Sequence, residues 1–228
     1  MRSKQSGFTL VEIAIVLVII GLLLGGVLKG QELINSAKIK GIVNDLNGLS
    51  TAVYAYQDRY KALPGDDALA GTRWTAIAAP GNGNAKIEGT FNSATATDET
   101  LLFWRELRLA NLVGGDIASG TQPQNSVGGV LGVQAGAGDP TVGANLGLAG
   151  LVACQTNLLG RVAEAVDNQL DDGKPNAGAL KAWKQSGLVA LDGGITAVDI
   201  TAKVGGTVPD ATYVDDGSTM YTVCKTIL

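Results

Sequence analysis

The sequence predicts an α+β protein in which one long N-terminal helix precedes an antiparallel sheet. Three observations lead there. Phe8 to Leu28 is almost wholly apolar, the pattern from Lys29 to Leu63 stays helical but one-sided, and the rest is rich in Gly, Asn, Asp and Thr with short, partly alternating apolar segments. By texture the chain divides into residues 1–7, 8–28, 29–63 and 64–228. Its 228 residues suffice for one ordinary domain and an extension.

Residues 1–7 are polar and carry Arg2 and Lys4. The apolar run that follows is roughly 30 Å long as a helix, about the thickness of a bilayer core. Basic residues ahead of such a run favour a cytoplasmic N-terminus. A secretory signal has a shorter apolar core and a small-residue cleavage site behind it, and neither feature occurs here. Glu12 stands out. A carboxylate inside an apolar run is costly, so it marks a functional site by default.

Past Leu28 the helical pattern continues. Ile39, Ile42, Val43, Leu46, Leu49, Val53, Tyr56 and Tyr60 recur at three- and four-residue spacing and form one face. No proline interrupts before Pro64, where Leu63-Pro64-Gly65-Asp66-Asp67 predicts a turn. A helix from about Phe8 to Ala62 would span roughly 80 Å. Gly21, Gly25, Gly26, Gly30, Gly41 and Gly48 lie within it. Each weakens the helix by roughly 1 kcal/mol relative to Ala, and each also permits close helix packing.

Residues 64–97 read as a long irregular loop or small subdomain, with turn chemistry at Gly81-Asn82-Gly83-Asn84. A helix is predicted over 98–112, with Leu101, Trp104, Leu107 and Leu112 on one face. Strands are predicted over 127–134 and 145–153, and a helix over 156–170 carries Leu159, Val162, Val166 and Leu170. That helix should stop at Asp171-Asp172-Gly173, before Pro175. The β-branched segment 195–204 and residues 219–226 read as further strands.

The chain has no histidine, which removes the commonest general base and zinc ligand. No nucleophile elbow or phosphate loop occurs, and the glycines at 128, 129, 132, 136 and 138 lack dinucleotide-binding spacing. The net charge of −4 is spread without a basic stripe, so no specific nucleic-acid surface is indicated. Calcium is the one cofactor to weigh. Oxygen ligands cluster at Asp66/Asp67, at Asn82/Asn84/Glu88, at Asp171/Asp172 and at Asp215/Asp216, with Asp171, Asp172, Asp215 and Asp216 the candidate ligands. None has EF-hand spacing, and Asp-Gly pairs also make turns.

Gly7-Phe8-Thr9-Leu10-Val11-Glu12 resembles the cleavage and methylation motif of type IV prepilins and type II secretion pseudopilins. The basic leader and apolar helix around it belong to the same pattern. The resemblance implies cleavage after Gly7 by a prepilin peptidase, N-methylation of Phe8, and assembly through Glu12. Its partners would be identical or related pilin subunits and an inner-membrane assembly platform. The precursor would sit in the bacterial inner membrane, and the mature chain in a periplasmic or extracellular filament. Pairing Glu12 with a neighbour's Phe8 ammonium would relieve two unpaired charges in low dielectric. The plainer reading leaves Glu12 snorkelling from a single anchor.

The resemblance is strong over about the first 60 residues. It extends weakly into Ala62–Asp66, Gly81–Asn84, Phe103–Leu107 and Ala165–Pro175, and implies a sheet packed on the long helix. Many pilins carry a proline within that helix; here Lys29 occupies the corresponding region, and the glycine cluster supplies either pliability or close packing. Cys154 and Cys224 are the only cysteines. The resemblance and an exported compartment favour one disulfide over two buried thiols. A structural, non-enzymatic filament subunit is the leading reading. A monomeric membrane-anchored module binding calcium or a glycan is its rival.

Overall fold

The structure, a computed structural model, describes residues 9–136, 147–185 and 212–228. The chain forms two compact units, Met1–Lys38 and Ile39–Leu228. Helix α1 spans Leu10–Tyr60, 51 residues, close to the predicted limits. In the first unit its apolar side chains, from Leu10 to Leu28 and at Leu33 and Ile34, are exposed. Among the described residues it is the one helix long and apolar enough to cross a membrane.

In the second unit, Ile42, Leu46, Leu49, Ala52, Val53 and Tyr56 of α1 are buried. This is the face expected from the spacing. The helix ends where Lys61 takes a positive φ of 55°, and the Pro64-Gly65 turn follows. Gly65 has φ 89°, and a Cβ there would lie 2.5 Å from Glu99 O, so only glycine fits.

The remaining elements are α2 (Ala70–Arg73), α3 (Glu99–Leu109), β1 (Leu131–Ala135), β2 (Leu151–Leu159), α4 (Gly160–Leu170), β3 (Leu180–Lys184) and β4 (Met220–Thr226). The four strands form one antiparallel sheet in the order β1-β2-β4-β3. The last strand in sequence is thus laid between two earlier ones.

Alternation along the strands sorts their side chains into two layers. Leu131, Val133, Leu151, Ala153 and Ile227 join Leu46, Leu49, Val53, Tyr56, Phe103 and Leu107 in the main core. Ile42 of α1 joins Leu158, Leu180, Tyr221, Val223 and the α4 residues Val162 and Val166. Gln155 Nε2 donates to Ile42 O at 3.0 Å, tying β2 to the helix backbone. On the opposite face of the sheet, Val152, Cys154, Trp183 and Cys224 pack with Phe91 and Leu148.

Several boundaries differ from expectation. The strand predicted over 145–153 is β2, and it runs on to Leu159, so α4 begins at Gly160 and not at 156. The periodicity of Leu159, Val162 and Val166 hides a β-bulge. Gln155 pairs with Val223 but Leu158 pairs with Tyr221, and Asn157 absorbs the extra residue at φ 64°. Ladder pairing with β4 outweighs the local helical pattern. Strand β3 was not foreseen. The first predicted strand is shorter than expected and shifted to β1. The strand expected over 195–204, part of that over 145–153, and residues 1–8 lie outside the described residues.

Cys154 and Cys224 are directly opposite in the β2–β4 ladder and are joined by a disulfide. Cys154 lies in the middle of its strand, not at its end. The bridge spans a sequence separation of 70 residues. Loop-closure entropy assigns such a link about 4 kcal/mol. Replacing both cysteines with serine should therefore lower unfolding stability by up to about 4 kcal/mol. Denaturant titration of the full chain in detergent checks this, and an unchanged midpoint would mean that the ladder alone fixes β4.

Candidate functional site

The N-terminal site is built on the first turn of α1. Thr9 precedes the helix and Glu12 is its third residue. Thr9 N and Thr9 Oγ1 donate to Glu12 Oε2 at 2.8 and 2.7 Å, and Glu12 N donates back to Thr9 Oγ1 at 3.3 Å. This reciprocal pattern is a capping box, which satisfies backbone donors left over at a helix start. Its signature, Thr-x-x-Glu at 9–12, is legible in the sequence and marks the helix start.

Beyond the cap, nothing within the described chain accounts for the glycine cluster. A Cβ added at Gly21, Gly25, Gly26 or Gly30 would meet nothing within 4 Å. By contrast, a Cβ at Gly41 would lie 3.2 Å from Ser126 Oγ, a packing contact within the second unit.

Residues 2–28 match the family model described as the prokaryotic N-terminal methylation motif. The chain carries the type IV prepilin and pseudopilin signature. No curated protein and no solved structure matches it significantly. The prepilin signature belongs to a structural family, and its apolar helix is consistent with membrane anchoring. Gly7 and Phe8 fall outside the described residues; Glu12 lies within the matched stretch.

In the second unit the structure gathers acidic residues that periodicity could not assign. Asp66 and Asp67 are buried in the turn after α1, and Glu99 and Glu106 are buried on α3. Asp66 Oδ1 accepts from Gly83 N at 2.6 Å and Asn84 N at 3.0 Å, and its Oδ2 accepts from Ala85 N at 2.6 Å. Glu99 accepts from Asn82 N at 3.1 Å and Glu88 N at 2.9 Å. The Gly-Asn-Gly-Asn loop is therefore wrapped around two carboxylates. Gly81 allows the closest approach, since a Cβ there would strike the Asp66 backbone. Burial pushes the Glu99 carboxyl up, against the two backbone N–H groups that favour its charged form.

The second acidic pair meets the end of α1. Tyr56 Oη lies 2.9 Å from Asp67 Oδ2 and 3.1 Å from Glu106 Oε2. Glu106 Oε2 also accepts from Gly65 N at 2.7 Å. Arg73 pairs with Asp67, and its guanidinium stands 4.8 Å from the Tyr60 ring centroid and 5.6 Å from that of Trp74. The aromatic cluster thus holds a cation that the chain itself supplies. Glu106 was unassigned in the sequence reading. Flanked by Arg105 and Arg108, it carries no signal in the sequence that sets it apart from a surface acid. The helix is buried on most of its circumference, with Leu102, Phe103, Trp104, Glu106, Leu107 and Arg108 all inside.

The calcium candidates separate. Asp171 and Asp172 come together with Asp167, one oxygen of each lying within 4.8 Å of the others. Asp215 and Asp216 are not part of that group. Each of the three grouped carboxylates already accepts hydrogens: Asp167 from Gly173 N (3.3 Å) and Tyr213 Oη (2.7 Å), Asp171 from Leu180 N (2.8 Å), Asp172 from Lys174 N (3.0 Å). Burial pushes the Asp167 carboxyl up. Asp216 accepts from Ser218 and Thr219, whose donors hold its carboxyl well below the usual range. Calcium needs six to eight oxygens facing one point. These carboxylates already accept from N–H and O–H donors that close turns.

Asp66 replaced by Ala should release the 82–88 loop and lower stability by about 2–3 kcal/mol, since hydrogen bonds to a charged acceptor are lost together. Chemical denaturation and limited proteolysis in that loop measure it. A wild-type midpoint with an uncut loop would show that Asp66 is not the anchor.

Proposed function

We propose that this chain is a structural subunit of a type IV pilus or a related type II secretion pseudopilus. Its apolar helix sits in the inner membrane until a prepilin peptidase cuts between Gly7 and Phe8 and methylates the new amine. The mature subunit then leaves the bilayer and packs its helix against those of related subunits, supported by an assembly platform. The prepilin motif over residues 2–28, with Glu12 inside the apolar run, carries this reading. The exposed apolar half of α1 supports it, because that surface has no partner within the described chain. Exposed apolar area on this scale marks a membrane or protein interface.

Glu12 is proposed as the assembly acid. In lipid its charge has, among the described residues, the Thr9 donors to offset desolvation. A neighbour's Phe8 ammonium would neutralise it, so assembly exchanges lipid contact for helix packing and an ion pair. The presence of this acid argues against a tip subunit of the kind that lacks it, and the size of the second unit fits a minor or specialised subunit.

Mass spectrometry of the native N-terminus tests processing: the expected chain starts at N-methylated Phe8. A chain retaining residues 1–7 in cells with active peptidase would instead favour the anchored monomer. Glu12→Ala should insert and be processed like wild type but give several-fold fewer filaments by shear fractionation; normal filament yield would remove Glu12 from assembly.

The subunit is proposed to work without a resident metal. Titrating calcium into the full chain in detergent should leave its thermal midpoint unchanged. A saturable rise that Asp171→Asn abolishes would place calcium at the Asp167–Asp171–Asp172 turn.

A further inference from the structure

Tyr56 Oη has one hydrogen but stands within hydrogen-bond distance of two carboxyl oxygens, at 2.9 Å from Asp67 Oδ2 and 3.1 Å from Glu106 Oε2. A hydroxyl donates once and can accept, whereas an ionised carboxylate only accepts. One of the two contacts therefore needs a hydrogen from the acid. Asp67 cannot supply it economically. It faces the Arg73 guanidinium and also accepts from Leu69 N at 2.9 Å, both of which favour its charged form. Glu106 is the group left to carry the proton.

A second observation points the same way. Glu106 is fully buried, and its Oε1 has no hydrogen-bond partner among the described residues. A bare anionic oxygen in that position would be far costlier than the carbonyl oxygen of a neutral acid.

We propose that Glu106 is a buried neutral carboxylic acid that donates to Tyr56 Oη, forming a proton-dependent latch between the end of α1, the Gly65–Asp67 turn and α3. The hydrogen-bond direction is then consistent throughout. Glu106 donates to Tyr56, and Tyr56 donates to Asp67, whose charge Arg73 balances. Every charged or titratable group facing Glu106 fits. Tyr56 lies on α1, Asp67 in the turn and Arg73 on α2. Glu99, on its own helix, is a further acid that disfavours a second negative charge. Burial pushes the Glu106 carboxyl up to about 7, with Glu99 adding to the shift and Gly65 N–H, Tyr56 and Arg73 opposing it.

The sign follows from linkage. The folded chain holds a proton that the unfolded chain releases near the ordinary glutamate value of 4.5. The latch is at full strength below that value and is lost as pH rises through about 7. Glu99 and Asp167, also pushed up by burial, act in the same direction, so a variant is needed to isolate Glu106.

The test uses the full chain in detergent micelles with glutamate labelled at the carboxyl carbon. One carboxyl resonance should titrate near pH 7, and it should vanish in Glu106→Gln. The glutamine amide can donate to Tyr56 Oη in the acid's place. Glu106→Gln should therefore keep wild-type thermal stability at pH 5 while losing much of its fall towards pH 8. If that variant does not fold, Tyr56→Phe assigns the resonance, because it removes the hydroxyl next to Glu106 alone among the glutamates. A Glu106 resonance titrating near 4.5, or a Glu106→Gln variant with the wild-type pH profile, would overturn the latch.

Discussion

A single helix has to satisfy two different surroundings without a break, and most of the structure follows from that constraint. Over Leu10–Leu28 the helix, Glu12 aside, is apolar on all sides, and its apolar side chains are exposed among the described residues. Over Ile42–Tyr56 it is apolar on one face only, and that face forms the spine of the core. Backbone hydrogen bonding is the same in both stretches, so side-chain pattern alone marks the change of solvent. Once Ile42 to Tyr56 are committed to the sheet, the sheet must present a matching layer. It does so with Leu131, Val133, Leu151, Ala153, Tyr221 and Val223 and, past the bulge, Leu158, leaving Cys154 and Cys224 on the far side. Because β4 lies between β2 and β3, the layer is complete only when β4 has docked. Such non-local pairing closes late, and the cross-strand disulfide holds the strand on which closure depends.

The second unit solves its loop problem with acids. A chain lacking histidine and poor in aromatics has few ways to order long irregular segments. Here Asp66 and Glu99 act as internal anions for the backbone N–H groups of the 82–88 loop. Arg108 does the converse, donating to the carbonyls of Gly114, Ser119 and Thr121 to hold the loop after α3. In both cases a buried charge is tolerated because backbone dipoles surround it. The Gly-Asn-Gly-Asn sequence matters less as a turn in its own right than as a stretch of backbone able to converge on one carboxylate. Gly83 and Ala85 both adopt positive φ to do so.

What the sequence made legible was local. The leader motif, the helix from Leu10 to Tyr60 and its buried face follow from residues a few positions apart, and Pro64 marks the stop. The sheet was less readable because its pairing is distant. Residues 156–159 have a helical spacing, but Leu158 and Leu159 pair with β4, more than 60 positions on, and Thr156 N donates to Val130 O, so the segment stays extended. β3 is a five-residue strand with a lysine at each side of its centre, too short and too mixed to announce itself. The acidic network was invisible for another reason. Asp66, Asp67 and Glu106 look like surface residues until the turn brings them against Tyr56, and nothing in their spacing foretells burial. Of the aspartates weighed as calcium ligands, clustering in the sequence matches clustering in space for Asp171 and Asp172, which Asp167 joins from the preceding helix.

The capping box changes how Glu12 should be understood. An acid in an apolar run invites the idea that it stays unsatisfied until a neighbour arrives. In the structure, Thr9 already gives its oxygen two hydrogens, and Glu12 N returns one to Thr9. A cut after Gly7, as proposed, would leave that cap intact, since Thr9 lies one residue inside the new terminus. It would add an ammonium at Phe8, immediately ahead of a carboxylate whose geometry the cap has fixed. A carboxylate has lone pairs for several donors, so the cap does not compete with an ion pair. On the proposed assembly the role of this residue would then be electrostatic: the hydrogen bonds exist in the single chain, and a partner's ammonium would add the neutralising charge that Thr9 cannot.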